Sequence, residues 1–350
     1  MKIKDLEVEA GDAILQCFQE IPFLEISRIS LAPIQEDVRS GFRIDLKFTI
    51  EDRNIIVEVK NNGEPRNARQ AVYQLQHYLR EFHGDYGVFI APYISPRAAA
   101  ICQDAGIGYI DFGGNCHISF EWIYIHKEGY PNSYTRKRYL RSLFSPKAER
   151  ILRVLLTSNL KDWKVEDLAK EADVSTGLVS NVKKLLADQE WINSKTVGFS
   201  LSDPSSLLEE WSQNYKYKRN KIINFYTMLS ITEFESRLHD ICQQENIRYG
   251  LTGFSGSFRY APAVRHQRVM AYIQDREEIL TECLEIKPVE SGANVMLLKP
   301  YDKGVFYGLH VLEDSAVVSP VQIYLDLQSF RGRGEEAAKI LLERVIRKTW

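Results

Sequence analysis

Asp45, Glu58 and Lys60 are the residues whose types and spacing first indicate chemistry. Residues 43–50, RIDLKFTI, and 55–60, IIVEVK, are rich in β-branched side chains and flank the sequence EDRN, which predicts a β-hairpin. The two-residue period of a strand places Glu58 and Lys60 on one face. Antiparallel pairing brings Asp45 alongside Glu58, so we expect the three side chains to share one site.

Two carboxylates and the backbone carbonyl of Val59 make an oxygen-lined set that suits Mg²⁺ or Mn²⁺. We therefore expect Asp45, Glu58 and Val59 to hold the cation, which would stabilise charge developing on a phosphodiester. Lys60 is expected to orient or help deprotonate an attacking water. The alternative is an amphipathic surface hairpin whose acidic and basic residues have no chemical role.

The spacing of Asp45, thirteen positions before Glu58-Val59-Lys60, resembles the PD-(D/E)XK nuclease superfamily. Gln74 and Tyr78 lie four apart on the next predicted helix and resemble the Gln-xxx-Tyr pair of the RecB-type branch. The sequences YGVFIAPYI, SPRAAAICQDAG and IGYIDFG then follow in the strand, helix, strand order of that fold.

This resemblance covers roughly residues 5–125 and implies a restriction-endonuclease-like α/β domain with metal-dependent DNA cleavage. The catalytic residues that it implies are Asp45, Glu58, Lys60, Gln74 and Tyr78. The superfamily often carries a further acidic residue on its first helix, for which the candidates are Glu9, which we favour, and Glu20. His117, with Asp111 nearby, suggests a second metal site, but a histidine in a strand is more often structural.

The next stretch of the chain, residues 145–203, has the element order of a winged helix-turn-helix. The sequences KAERILRVLLTS, VEDLAKEA and TGLVSNVKKLLADQ predict three helices, with a short turn, DVS, before the third, and WINSKTVGFSLS predicts the wing. The module resembles bacterial winged-helix regulators. The residues expected to contact DNA are Thr176, Ser180, Asn181, Lys183 and Lys184 on the third helix and Lys195 in the wing. A winged helix that serves only protein–protein packing is the alternative.

A basic stretch, YTRKRYLRSLFSPKAER, precedes this module and contains Arg136, Lys137 and Arg138. The formal net charge of −2 does not by itself indicate a nucleic-acid-binding protein, so the local clustering of positive charge matters more than the sum. Interleaved tyrosines favour contacts along a phosphate backbone. A solvated linker is an equally good interpretation.

The final part, residues 204–350, alternates predicted strands and helices, which indicates a C-terminal α/β domain. LTGFSGSFRYAP places Gly253 and Gly256 directly after a strand, which invites a nucleotidyltransferase-like comparison, although no Asp-x-Asp or Asp-x-Glu follows. Asp326, Arg331 and Arg333 are expected to cap, pair and orient the last helix.

The sequence YLDL at 324–327, followed by RGEEAA at 333–338, resembles the AbiEi-type antitoxins and transcriptional regulators of type IV toxin–antitoxin systems. The likeness covers the winged helix and the C-terminal third of the chain. It implies a toxin or defence-system partner. The nuclease-like N-terminal domain departs from the simplest antitoxins.

Composition sets the overall organisation. A chain of 350 residues is too long for one typical core, and we predict a multidomain α/β protein with boundaries at 1–130, 131–144, 145–203 and 204–350. The five scattered cysteines include no CxxC pair, so neither a disulfide framework nor a zinc ribbon is predicted. No apolar run is long enough to span a membrane, and we expect a cytoplasmic protein.

Two functions from different classes fit these patterns. The first is a Mg²⁺-dependent deoxyribonuclease in a defence or toxin–antitoxin setting. The second is an AbiEi-like antitoxin or transcriptional repressor in which the nuclease fold is a scaffold. Double-stranded DNA is the expected partner in both cases, and a homodimer suits both duplex cleavage and palindromic operator binding.

Overall fold

The structure is a computed structural model that describes residues 3–18, 26–30, 45–50, 53–81, 85–132, 143–158, 161–262 and 267–350. The described residues form a mixed α/β protein with two seven-stranded sheets and one two-stranded sheet. The chain divides into two compact units, Met1–Tyr139 with Ala187–Glu190, and Leu140–Leu186 with Trp191–Trp350. Within the described ranges, no helix combines the length and the apolar composition needed to cross a membrane.

The first unit contains a seven-stranded sheet whose strands follow chain order from edge to edge. The strands are β1 (Ile26–Ser30), β2 (Leu46–Ile50), β3 (Arg53–Val59), β4 (Tyr86–Ala91), β5 (Gly108–Asp111), β6 (Cys116–Phe120) and β7 (Ile123–Lys127). β3, β4 and β5 run parallel to one another, and the remaining neighbours are antiparallel. The carboxyl ends of three central strands therefore meet at one edge of the sheet.

Helices cover both faces of this sheet because its central strands are apolar on both sides. The helix α1 (Ile3–Phe18) packs Ile14 and Phe18 into a core with β2 and β3. On the opposite face, α2 (Pro65–Glu81) and α3 (Pro96–Asp104) form a second core with β4. The side chain of Ser95 begins α3 by accepting a hydrogen bond from the amide of Ala98 at 3.3 Å.

The predicted hairpin is formed by β2 and β3, which pair from Leu46 opposite Val57 to Ile50 opposite Arg53. Burial alternates along β2, so Leu46, Phe48 and Ile50 enter the core while Lys47 and Thr49 between them do not. The next position before this ladder is Asp45, and the next position after Val57 is Glu58. The register therefore brings the two carboxylates to the same end of the hairpin.

The second unit begins with three helices and a short hairpin. The helices are α4 (Pro146–Thr157), α5 (Val165–Glu171) and α6 (Thr176–Asp188), and the hairpin consists of β8 (Ile192–Ser194) and β9 (Phe199–Leu201). Val179 and Val182 on α6 are buried. Asp173, with a φ of 51°, turns the chain between α5 and α6.

The rest of the second unit is built on the other seven-stranded sheet. Its strands are β10 (Lys221–Tyr226), β11 (Tyr249–Leu251), β12 (Val269–Ile273), β13 (Lys287–Pro288), β14 (Val295–Lys299), β15 (His310–Leu312) and β16 (Ser315–Val317), in the order β13-β10-β14-β12-β11-β16-β15. The helices are α7 (Pro204–Asn214), α8 (Ile231–Gln244), α9 (Gly253–Tyr260), α10 (Glu277–Cys283), α11 (Pro320–Leu327) and α12 (Arg333–Arg344). Short 3₁₀ turns occupy Tyr217–Arg219, Lys303–Phe306 and Ile346–Thr349.

Gly63 closes the carboxyl end of the first sheet, where it pairs with Ile94. A Cβ atom at this position would lie 2.3 Å from the carbonyl oxygen of Tyr93 and 2.7 Å from the Cα of Ile94. Because these contacts are with backbone, Gly63→Ala should lower the free energy of unfolding by about 1–3 kcal/mol. Urea denaturation of the full chain measures this loss.

Gly177→Ala is the matched control, because Gly177 lies in α6 and has open space where its Cβ would be. That substitution should raise the free energy of unfolding by about 0.5–1 kcal/mol, since alanine loses less entropy in a helix. Equal effects of the two substitutions would contradict the close approach at Gly63.

Candidate functional site

A cleft of ≈ 390 Å³ opens at the carboxyl end of β3. Its lining residues are Leu6, Glu7, Asp45, Glu58, Val59, Lys60, Asn61, Asn67 and Gln70. The hairpin contributes the carboxylates and the lysine, and α1 and α2 contribute its walls. All the residues that the sequence predicted to hold a cation therefore line one cavity.

Hydrogen bonds fix the charged groups of this cleft. Asp45 Oδ2 accepts the amide of Val59 at 2.8 Å, which ties the residue before β2 to the last residue of β3. Lys60 Nζ donates to Glu58 Oε1 and to Gln74 Oε1, the latter at 2.8 Å. The lysine is thus held between the carboxylate of β3 and the amide of α2.

The surroundings of Glu58 disfavour its charged form. Only 3% of its side chain is exposed, and Oε2 has no hydrogen-bond partner among the described residues. Desolvation by burial, and secondly the charge of Asp45, raise its pKa from 4.5 to about 7, although Lys60 opposes both effects. A buried carboxylate that lacks a partner for one oxygen is chemically suited to a hard cation.

The donor set contributed by side chains is small. Among the residues that the structure describes, no group of three or more His, Cys, Asp or Glu side chains is arranged to hold a metal ion. Asp45 and Glu58 supply two carboxylates, and the backbone of Val59 lies between Glu58 and Lys60. These residues fit a cation that keeps several water ligands, as Mg²⁺ does.

Gln74 and Tyr78, the pair predicted on α2, occupy different environments. Gln74 joins the site through Lys60, whereas Tyr78 is fully buried in the core between α2 and the sheet and does not line the cleft. Asn67 and Gln70, which the prediction omitted, do line the cleft. Asn67 lies three residues before Gln70, and Gln70 lies four residues before Gln74, so the three side chains share one helical face. This spacing is the signal that would have identified Asn67 and Gln70.

The acidic residue that α1 presents to the cleft is Glu7 rather than the favoured Glu9. Glu7 follows the buried Leu6, so the helix orientation that buries Leu6 and Ala10 also directs Glu7 towards the cavity. The other candidate, Glu20, lies outside the described residues.

The residues expected to contact DNA on α6 fall into two groups. Thr176, Ser180, Asn181 and Lys184 are exposed. Lys183 is half-buried, and its Nζ lies 5.1 Å from the ring centroid of Phe199, where a cation–π contact holds it against β9. Lys183 therefore packs towards β9, and its contact with DNA stays a prediction.

The other basic candidates have different positions. Lys195 is exposed between β8 and β9, and its Nζ pairs with Asp162 Oδ2 at 2.8 Å. Arg136, Lys137 and Arg138 lie outside the described residues.

The turn between α5 and α6 is tied to the C-terminal half of its unit. Arg150 on α4 donates to the carbonyl and the carboxylate of Asp173, each at 3.1 Å, and to Asp302 Oδ2 at 2.8 Å. Lys303 Nζ lies 2.6 Å from Asp173 Oδ2. These contacts set the position at which α6 begins.

Asp326 has a structural environment rather than that of an open catalytic site. It is fully buried and accepts hydrogen bonds from the hydroxyls of Tyr215, Tyr272 and Thr252 and from the amide of Gln322. Burial raises its pKa to about 6, although these donors favour the ionised form. The prediction that Asp326 orients the last helix is wrong, because none of these four partners lies on α12.

Glu58→Gln should stabilise the protein at high pH. Since the folded pKa lies above 4.5, the folded chain binds this proton more tightly than the unfolded chain, and stability falls as the pH rises from about 4.5 to about 7. Glutamine cannot ionise, so we expect a gain of roughly 2–3 kcal/mol at pH 8 and little change at pH 4.5. Urea denaturation in EDTA at both pH values measures this difference.

Glu81→Gln, at the exposed end of α2, is the control and should behave alike at both pH values. A loss of stability in Glu58→Gln at pH 8 would show that the ion pair with Lys60 outweighs the cost of burying the charge.

Comparisons with solved structures give partial likenesses. A repair endonuclease from Pyrococcus abyssi is 17% identical with a TM-score of 0.23, and EndoMS in its apo form is 19% identical with a TM-score of 0.22. Each match covers 30% of this chain and spans less than half of the other chain, 46% and 45% respectively. Such TM-scores establish no common fold.

A third structure, that of a protein of unknown function, is 14% identical with a TM-score of 0.22, and the match covers 53% of this chain and 99% of that one. No curated protein sequence matches the chain. Residues 200–347 match the family described as "Transcriptional regulator, AbiEi antitoxin, Type IV TA system". The resemblance in the last third of the sequence is confirmed, and the C-terminal region of this chain carries an AbiEi antitoxin and transcriptional-regulator domain.

Proposed function

We propose that this chain is a DNA-binding protein whose first unit hydrolyses DNA phosphodiesters with Mg²⁺ or Mn²⁺, in a defence or toxin–antitoxin setting. The observation that carries the proposal is Glu58, a buried carboxylate with one oxygen unpartnered among the described residues, beside Asp45 and Lys60 in an open cleft. The alternative of a chance surface hairpin fits poorly, because such residues would be solvated. We assign the unit a restriction-endonuclease-like fold.

Asp45, Glu58 and the backbone of Val59 are the groups that would hold the cation. A bound divalent cation would supply positive charge to the phosphate and lower the pKa of a water molecule. Asp45 is kept in place by the Val59 amide, so its second oxygen is oriented by the same bond. Glu58 is fully ionised only above a pH of about 7, which makes cation binding favour neutral to alkaline conditions.

Lys60 would act on the phosphate or on the attacking water. In the structure its ammonium neutralises Glu58, and Gln74 holds it from the other side. A cation on Glu58 would repel this ammonium, and the bond to Gln74 retains it at the edge of the cleft. Gln74 is thus a positioning residue, and Tyr78 supports it only by packing.

Cleavage of plasmid and linear duplex DNA tests the enzyme. We expect cutting in Mg²⁺ or Mn²⁺ by the wild-type chain, lowered at least about 100-fold in Asp45→Ala and in Lys60→Ala. Asp104→Ala, at the exposed end of α3, should cut as the wild type does. DNA binding without cleavage in either metal would contradict the proposed nuclease activity.

A transcriptional repressor is the second candidate, and the AbiEi match over residues 200–347 favours it. We propose that α4, α5, α6 and the β8–β9 hairpin form a winged helix-turn-helix that binds duplex DNA. Exposed short polar side chains at the start of α6, Thr176 and Ser180, would approach base edges, and Lys184 would contact phosphate. A toxin encoded with this protein is the partner that the family match favours.

Neighbouring lysines on α6 give a matched test of this interface. Lys184→Ala should weaken binding to duplex DNA and reduce the slope of log affinity against log salt by about 0.9, the loss of one phosphate contact. Lys183→Ala should leave the slope unchanged, because Lys183 packs on Phe199. Fluorescence anisotropy at several salt concentrations measures both, and equal slopes for the two variants would contradict the proposed orientation of α6.

A further inference from the structure

The β6–β7 hairpin carries two histidines that face each other across the strands. His117 pairs with His126 in the antiparallel register. Their Nδ1 atoms are 3.3 Å apart, and the two rings cross at 78° with centroids 5.3 Å apart. Asp111, which the sequence placed near His117, takes no part, since it accepts the amides of Gly113 and Asn115, each at 2.9 Å.

From this geometry we infer that His117 and His126 form a binding site for a late first-row divalent cation such as Zn²⁺, Ni²⁺ or Cu²⁺. Imidazole nitrogen suits these ions, whereas Mg²⁺ prefers oxygen. A tetrahedral zinc with Zn–N bonds of about 2.0–2.1 Å separates two nitrogen ligands by about 3.3–3.4 Å. The separation of 3.3 Å between the two Nδ1 atoms matches that value.

The surroundings of His126 support the same role. Its other nitrogen, Nε2, lies 3.4 Å from Glu128 Oε2. Histidines that bind metals commonly donate their second N–H to a carboxylate, which fixes the tautomer and leaves the first nitrogen free to coordinate. His117 is held by Tyr109, whose ring stacks on it with an angle of 27° between the planes.

The site is open to solvent on one side. His126 is exposed and His117 is half-buried, and the adjacent Tyr124 is exposed. Two imidazoles leave coordination positions for water. Because β7 is the edge strand of the first sheet, a cation here would fasten that edge to β6 and stabilise the folded unit in proportion to its occupancy.

Calorimetric titration of ZnCl₂ into the full chain, purified without a histidine tag and kept in excess Mg²⁺, tests this site. We expect one saturable site in the wild type, weakened at least tenfold in His117→Asn and in His126→Asn. His310→Asn is the control, because His310 lies on an exposed edge strand opposite Val317. Mg²⁺ competes with zinc for the oxygen ligands of the Asp45 cleft and not for the histidines, and only binding at the histidines is weakened in the two variants.

Crystals of the wild-type chain grown with ZnCl₂ give a second test, which requires no substitution. An anomalous-scattering peak between the two Nδ1 atoms is the expected result. Unchanged zinc binding in His117→Asn and His126→Asn, or no anomalous peak at this position, would mean that the pair shares only a hydrogen bond and would overturn the inference.

Discussion

The hydrogen bond from the Val59 amide to Asp45 is the interaction on which the candidate site depends. It joins the two strands of the hairpin beyond the last ladder pair, Leu46 with Val57. Since side chains alternate along a strand, a slip of one residue would turn Asp45 and Glu58 to opposite faces. The apolar residues of β2 oppose such a slip, because it would expose Leu46 and Phe48. The strand register that packs the core therefore also brings Asp45 and Glu58 together.

This arrangement places a carboxylate where the protein solvates it poorly. Glu58 gains one partner, Lys60, and a like-charged neighbour, Asp45, and its pKa shows that the unfavourable effects are larger. Asp326 provides a contrast within the same chain. That carboxylate is also fully buried, yet four donors from surrounding side chains satisfy it. The difference between the two environments separates a group available to a ligand from one that stabilises a core.

Sequence periodicity predicted the elements of the first sheet better than it predicted side-chain directions. The hairpin and the strand, helix, strand segment that follows it are encoded by β-branched runs and by signals such as Ser95-Pro96. The choice of Glu7 over Glu9 depends on the rotation of α1 about its axis, which the sheet determines. The contact of Lys183 with Phe199 was likewise not predicted, because it arises only when the β8–β9 hairpin folds back on α6. The partners of Asp326 lie as many as 111 residues away, beyond the reach of local patterns.

The most direct test of the account is the titration of Glu58 itself. In full-length protein labelled with ¹³C at glutamate carboxyl carbons, the resonance that disappears in Glu58→Gln should titrate near pH 7 without divalent cation, and at least one pH unit lower with saturating Mg²⁺. A titration near the usual value of 4.5, or one that Mg²⁺ leaves unchanged, would contradict the claim that this buried carboxylate is built to hold a cation.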